Sequence, residues 1–164
     1  MGSHVRFVSG APPARYGDLK ITDHSRLYGG LASTRERFAK LRALFDAILE
    51  TIAPTFADPN FPVKGVNVDL DEDKNLRVRF IDREVKLQFR YDGSEDVGRG
   101  VIVAEDWSYG AKEPVTLWSI GFNGTGETDL EKRDGATFNL HNEKDCAEIV
   151  LTALESSLAR QPSR

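Results

Sequence analysis

Asp69, Asp71 and Asp73 alternate through the acidic stretch 69–75, the spacing with which an EF-hand loop offers its first calcium ligands. The rest of that loop is missing. Lys74 stands where the turn glycine belongs, Phe80 where the closing bidentate glutamate belongs, and both flanks alternate like strands where helices are required. The stretch therefore reads as a solvated hairpin turn. His24, His141 and Cys146 are the other potential metal ligands, His4 being discounted as part of Met1-Gly2-Ser3-His4, which reads as a tag remnant. No two of the three share a recognised ligand spacing, so no metal is expected. Cys146 falls on an apolar helical stripe, the usual place of an inert buried thiol. The serines lack a Gly-x-Ser-x-Gly elbow, and Gly121, Gly124 and Gly126 are not followed by the Gly-Lys-Ser/Thr of a phosphate loop. Asn123-Gly124-Thr125 is a formal glycosylation sequon, without meaning in a cytoplasmic protein. The sequence marks no catalytic residue and no cofactor.

Recognition is better represented than catalysis. Arg77, Arg79, Lys86 and Arg90 fall on the polar side of strand-like alternation. A two-residue turn at Asp82-Arg83 would set Arg79 opposite Lys86 and Arg77 opposite Gln88. Asn67, Asp69 and Glu84 are near enough in sequence to screen such a strip, which is the ordinary fate of a charged sheet face. Left unscreened, it would suit an acidic protein surface or another anion. Trp107, Tyr109, Trp118 and Phe122 form a second candidate, since Trp and Tyr bury large areas while keeping a polar handle. Core packing under an N-terminal arm explains these aromatics as well as a homodimer or partner interface does.

The elements that must position these residues follow from two hydrophobic periods. Ser33 and Glu36 have capping-box spacing, and Phe38, Leu41, Leu44, Phe45, Ile48, Leu49 and Ile52 then recur at three and four residues, predicting a helix over 33–53 that Pro54 ends. The period becomes two at Val66, Val68 and Leu70, at Leu76, Val78 and Phe80, and at Val85, Leu87, Phe89 and Tyr91. Their connections are too short for anything but an antiparallel meander. Further strands are expected over 100–105, 115–122 and, more briefly, 136–140. Asn142 can cap a last helix over 143–159. The fold class is thus α+β: a two-layer sandwich of five or six antiparallel strands, covered on one face by both helices. Residues 1–30 read as tag remnant and extended arm, 31–160 as one domain, and 161–164 as a frayed tail.

Apolar residues make up 40% of the 164 and charged residues 29%, ordinary for one globular domain, and the net charge of −4 gives no global attraction to nucleic acid or anionic lipid. No apolar run is long enough for a membrane span, and one cysteine with no signal-peptide order points to the cytoplasm. The plan is similar to that of small secretion chaperones and of compact bacterial adaptor and immunity proteins, an analogy of architecture only. The leading expectation is a noncatalytic module that binds a protein partner. Its alternative is a small-molecule binder or enzyme with a pocket between sheet and helices, lined by Phe38, Phe45, Tyr91, Trp107 and Trp118.

Overall fold

The computed structural model describes residues 24–94, 97–110 and 112–160. The chain divides at Ser33/Thr34 into two compact units. The described part of the first is the opening of helix α1, His24–Asp46. Residues 5–23 of the expected arm and the tail 161–164 lie outside the described residues, whereas 24–30 are helical and not extended. Ser33 and Glu36 consequently lie inside α1 and do not cap it. Leu27 and Leu31 extend the three- and four-residue spacing N-terminally, and Gly29-Gly30, at about 1 kcal/mol each relative to alanine, weakens that signal without ending the helix.

Helix α2, Ile48–Ala57, abuts α1: Ala47 keeps right-handed helical angles, and the bonds Ala47 N–H to Ala43 O and Thr51 N–H to Ala47 O, both 3.1 Å, carry the helical ladder across the junction. Pro54 lies within α2 and is not its terminator. The proline removes one donor near a helix end, and the chain leaves the helix three residues later with Asp58 N–H on Thr55 O at 3.2 Å.

Seven antiparallel strands follow in simple sequential order: β1 Asn67–Leu70, β2 Leu76–Phe80, β3 Arg83–Asp92, β4 Arg99–Asp106, β5 Val115–Phe122, β6 Glu127–Glu131 and β7 Thr137–Asn139. The strand beyond the expected five or six is β6. Its acidic sequence hides the alternation, yet Thr128 is buried and donates through Oγ1 to Phe138 O at 2.9 Å. Helix α3, Glu143–Leu158, closes the described chain and is capped as expected, Asn142 Oδ1 accepting from Asp145 N at 3.0 Å.

One apolar face of the sheet carries the core. Leu76, Val78, Val85, Leu87, Ile102, Ala104, Ile120 and Phe122 are buried there against Leu41 and Phe45 of α1, Ile48 and Ile52 of α2, and Cys146, Ile149, Val150, Ala153 and Leu154 of α3. This is the expected α+β arrangement. Packing is close enough to dictate residue size: a Cβ at Gly100 would stand 2.2 Å from Phe122 Cζ.

Candidate functional site

The β2–β3 register differs from the expected one by a single residue of turn. Ile81-Asp82 makes the connection, so Phe80 faces Arg83, Arg79 faces Glu84, Arg77 faces Lys86 and Leu76 faces Leu87. Like charges do meet on the outer face of the sheet, at Arg77 and Lys86, but the neighbouring strands supply carboxylates to each. Arg77 makes a two-pronged bond to Asp69, Nε to Oδ1 at 2.8 Å and Nη2 to Oδ2 at 2.7 Å. Arg79 Nε holds Glu84 Oε1 at 3.0 Å, and Lys86 Nζ lies 3.1 Å from Asp71 Oδ2 and 4.6 Å from the Trp107 ring centroid. Arg90 is exposed and has no ion pair among the described residues.

The acidic turn is explained by the same contacts. Asp71 Oδ1 accepts from Asp73 N and Asn75 N, both at 2.9 Å, while Oδ2 accepts from Asn75 Nδ2 and Lys86. Burial disfavours the charged Asp71 carboxylate, but those donors outweigh it and hold the carboxyl below the usual range. Among the described residues no three His, Cys, Asp or Glu side chains are placed to share a metal ion. Cys146 is buried with Sγ donating to Leu140 O at 3.1 Å, and burial, aided by the Asp145 charge, pushes the thiol up to about 12.

The aromatic candidates separate into two places. Phe122 is 1% exposed and belongs to the core, and Trp118, opposite Ala104, packs half-buried against it from the inner face. Trp107 and Tyr109 lie instead at the end of the sheet where β4 leaves. Trp107 N–H donates to Glu84 O at 2.8 Å, extending the β3–β4 ladder, while its indole Nε1 is buried with no acceptor among the described residues. Of the aromatics expected around a pocket, Phe45 is buried, Phe38 stacks edge-on against Phe89 and Tyr91, and Trp107 lies against Lys86.

That sheet end is tied to the C-terminus of α3 by a polar network. Arg83, with only 10% of its side chain exposed, donates from Nη1 to Ser157 O in the last turn of the helix at 2.7 Å and to Arg160 O just beyond it at 3.4 Å. Its Nε lies 3.3 Å from Asp82 Oδ1 but outside hydrogen-bonding geometry, and its guanidinium rests 4.7 Å from the Tyr109 ring centroid. Asp106, 1% exposed, accepts Ser108 N at 3.0 Å on Oδ1 and Arg160 Nη1 at 2.5 Å on Oδ2. Burial alone would raise its pKa, yet the donors on Ser108, Arg160 and Ser157 bring it below the ordinary value.

Around this network the surface is apolar and the backbone strained. Ile81 is 82% exposed at φ 56 and Tyr109 is 47% exposed at φ 66, both in the left-handed region, while Val115 and Leu158 are also exposed. Sequence reasoning had singled out Tyr109 and missed Ile81, Val115 and Leu158. Their apolar type in a turn and at element ends was the available signal. No protein-family model, curated protein or solved structure matches the chain. Among the described residues no helix is long and apolar enough to cross a membrane.

Proposed function

We propose that the protein is a noncatalytic binding module of the adaptor, secretion-chaperone or immunity kind, acting in the cytoplasm, and that it holds a protein partner at the sheet end bearing Ile81 and Tyr109. One observation carries the reading: two bulky non-glycine residues are held at positive φ with their side chains in solvent. Each such conformation costs of order 1–3 kcal/mol, and strain of this kind gathers where a surface must be presented in a fixed shape. Val115 and Leu158 widen the apolar contact, and Trp107 supplies an indole at its border. Arg77, Arg79 and Lys86 of the outer face already hold carboxylates, which leaves Arg90 of that set to meet an acidic partner. Nucleic acid and membrane are not proposed as ligands. A second copy of the chain is the competing occupant of the apolar end.

The test is partner retention from a native lysate with three baits of equal thermal stability: the native chain, Ile81→Asp with Tyr109→Asp, and Arg90→Glu. A stoichiometric partner should be lost from the Ile81/Tyr109 bait by at least about tenfold, one decade being roughly 1.4 kcal/mol, and weakened less by Arg90→Glu. Retention unchanged by the double replacement removes this surface from the claim. Light scattering of the purified native chain decides between a different protein and a second copy.

A further inference from the structure

A hollow of about 400 Å³ opens beside the α1–α2 junction, with Lys40, Leu44 and Ala47 on the helix side and Gly124, Leu140 and His141 across from them in the lining. Its volume falls in the range of small-molecule sites. None of its lining residues belongs to the sheet end described above or to the aromatics of the expected pocket. The β5–β6 connection shapes it, with Gly124 lying against the Lys40 side chain. Gly126, at φ +84, admits the His141 ring, since a Cβ would come within 2.8 Å of His141 Cδ2 and 3.0 Å of Asn139 Oδ1. Lys40 and His141, the second seated by Gly126, thus stand around one concavity.

Neither Lys40 nor the His141 ring takes part in an ion pair or hydrogen bond among the described residues, and the Gly124 N–H has no acceptor there. The contrast with the outer face, where Arg77, Arg79 and Lys86 each hold a carboxylate, is direct. Leu44 and the buried Leu140 give the hollow an apolar surface, and Ala43 and Ala47, one turn apart, keep the helix wall low. Unpaired donors at the rim and aliphatic carbon below fit a ligand with one anionic end and an apolar body.

We infer that this hollow binds a small organic monocarboxylate, its carboxylate between Lys40 and His141 and its apolar body against Leu44 and Leu140. The inference is independent of the protein-recognition reading. Benzoate is a suitable probe, followed through the backbone amides by two-dimensional ¹⁵N NMR, with benzyl alcohol and inorganic phosphate as comparators. Saturable shifts are expected at Ala43, Ala47, Gly124 and His141. The neutral alcohol and the body-less phosphate should each bind at least about fivefold more weakly, roughly 1 kcal/mol, as loss of a charge-assisted bond or of apolar burial implies. Lys40→Gln and His141→Gln, both at exposed positions, should each weaken benzoate by a similar factor with melting temperature unchanged, and Ala47→Leu should block the hollow. No saturable shift, alcohol or phosphate binding as well as benzoate, or binding indifferent to both Gln variants would overturn the inference.

Discussion

Ile81 branches at Cβ and is nevertheless held at φ 56, where an L-residue's Cβ crowds the following carbonyl at a cost of about 1–2 kcal/mol. Its side chain is in solvent, so little packing within the described chain offsets this. Ile81→Asn, which suits the left-handed region, should therefore raise the urea midpoint by the equivalent of about 1 kcal/mol; an unchanged or lowered midpoint would mean that Ile81 is recovered by contacts within the monomer. Asp106 makes the opposite case, a side chain whose value lies wholly inside. Its folded pKa is depressed, so its contribution is complete above the unfolded carboxyl value of about 3.9 and is lost as pH falls through the lower, folded value. Asp106→Asn should cost about 2 kcal/mol at pH 7, because Arg160 and Ser108 lose a charged acceptor. Urea titrations at pH 7 and at successively lower pH should show the gap between native and variant narrowing below about pH 4. A gap that stays constant would refute the assignment.

At the scale of elements, the N-terminus of α3 illustrates how a single cap fixes several joints. Asn142 accepts from Asp145 N, and the Asp145 carboxylate, 5% exposed, takes Asn139 N at 3.0 Å and Lys132 Nζ at 2.8 Å, drawing β7 and the β6–β7 turn onto the helix. Asn142→Ala should lower stability by about 1 kcal/mol, while Asn142→Ser, which retains a capping oxygen, should lose little; equal losses would show that the cap is not the source. Asn142 was legible in the sequence because capping is local. So were β1 to β3, where the period of two runs without interruption, and β4 and β5, short apolar runs between turn signals. Four features were not. The opening of α1 was obscured by Gly29-Gly30 and by a false cap at Ser33; the end of α2 by Pro54, which the helix contains; β6 by three acidic residues in five; and the β2–β3 register by a turn that uses Ile81, a residue no turn rule selects. The last of these changes the outer face most, since it sets Arg79 opposite a carboxylate in place of Lys86.

For the whole molecule, that register decides what the net charge of −4 means at the surface. Arg77, Arg79 and Lys86 would form a cationic strip if their partners were elsewhere, and the chain would then carry a local anion site despite its acidic total. With Asp69, Glu84 and Asp71 as near neighbours the outer face is an ion-paired ladder, half-exposed at Arg79 and more enclosed at Lys86. Such pairs contribute little stability individually but cancel the field felt by an approaching polyanion. The native protein should therefore pass a heparin column at about 150 mM salt. Asp69→Asn combined with Glu84→Gln raises the net charge by two, a modest change overall, but releases the Arg77 and Arg79 guanidiniums together on one face. That variant should be retained on heparin and elute at higher salt, whereas Asp134→Asn combined with Glu131→Gln, the same change in net charge near the β6–β7 turn, should not. Equal behaviour of the two variants would show that total charge, and not the pairing set by the β2–β3 turn, governs how this face meets anions.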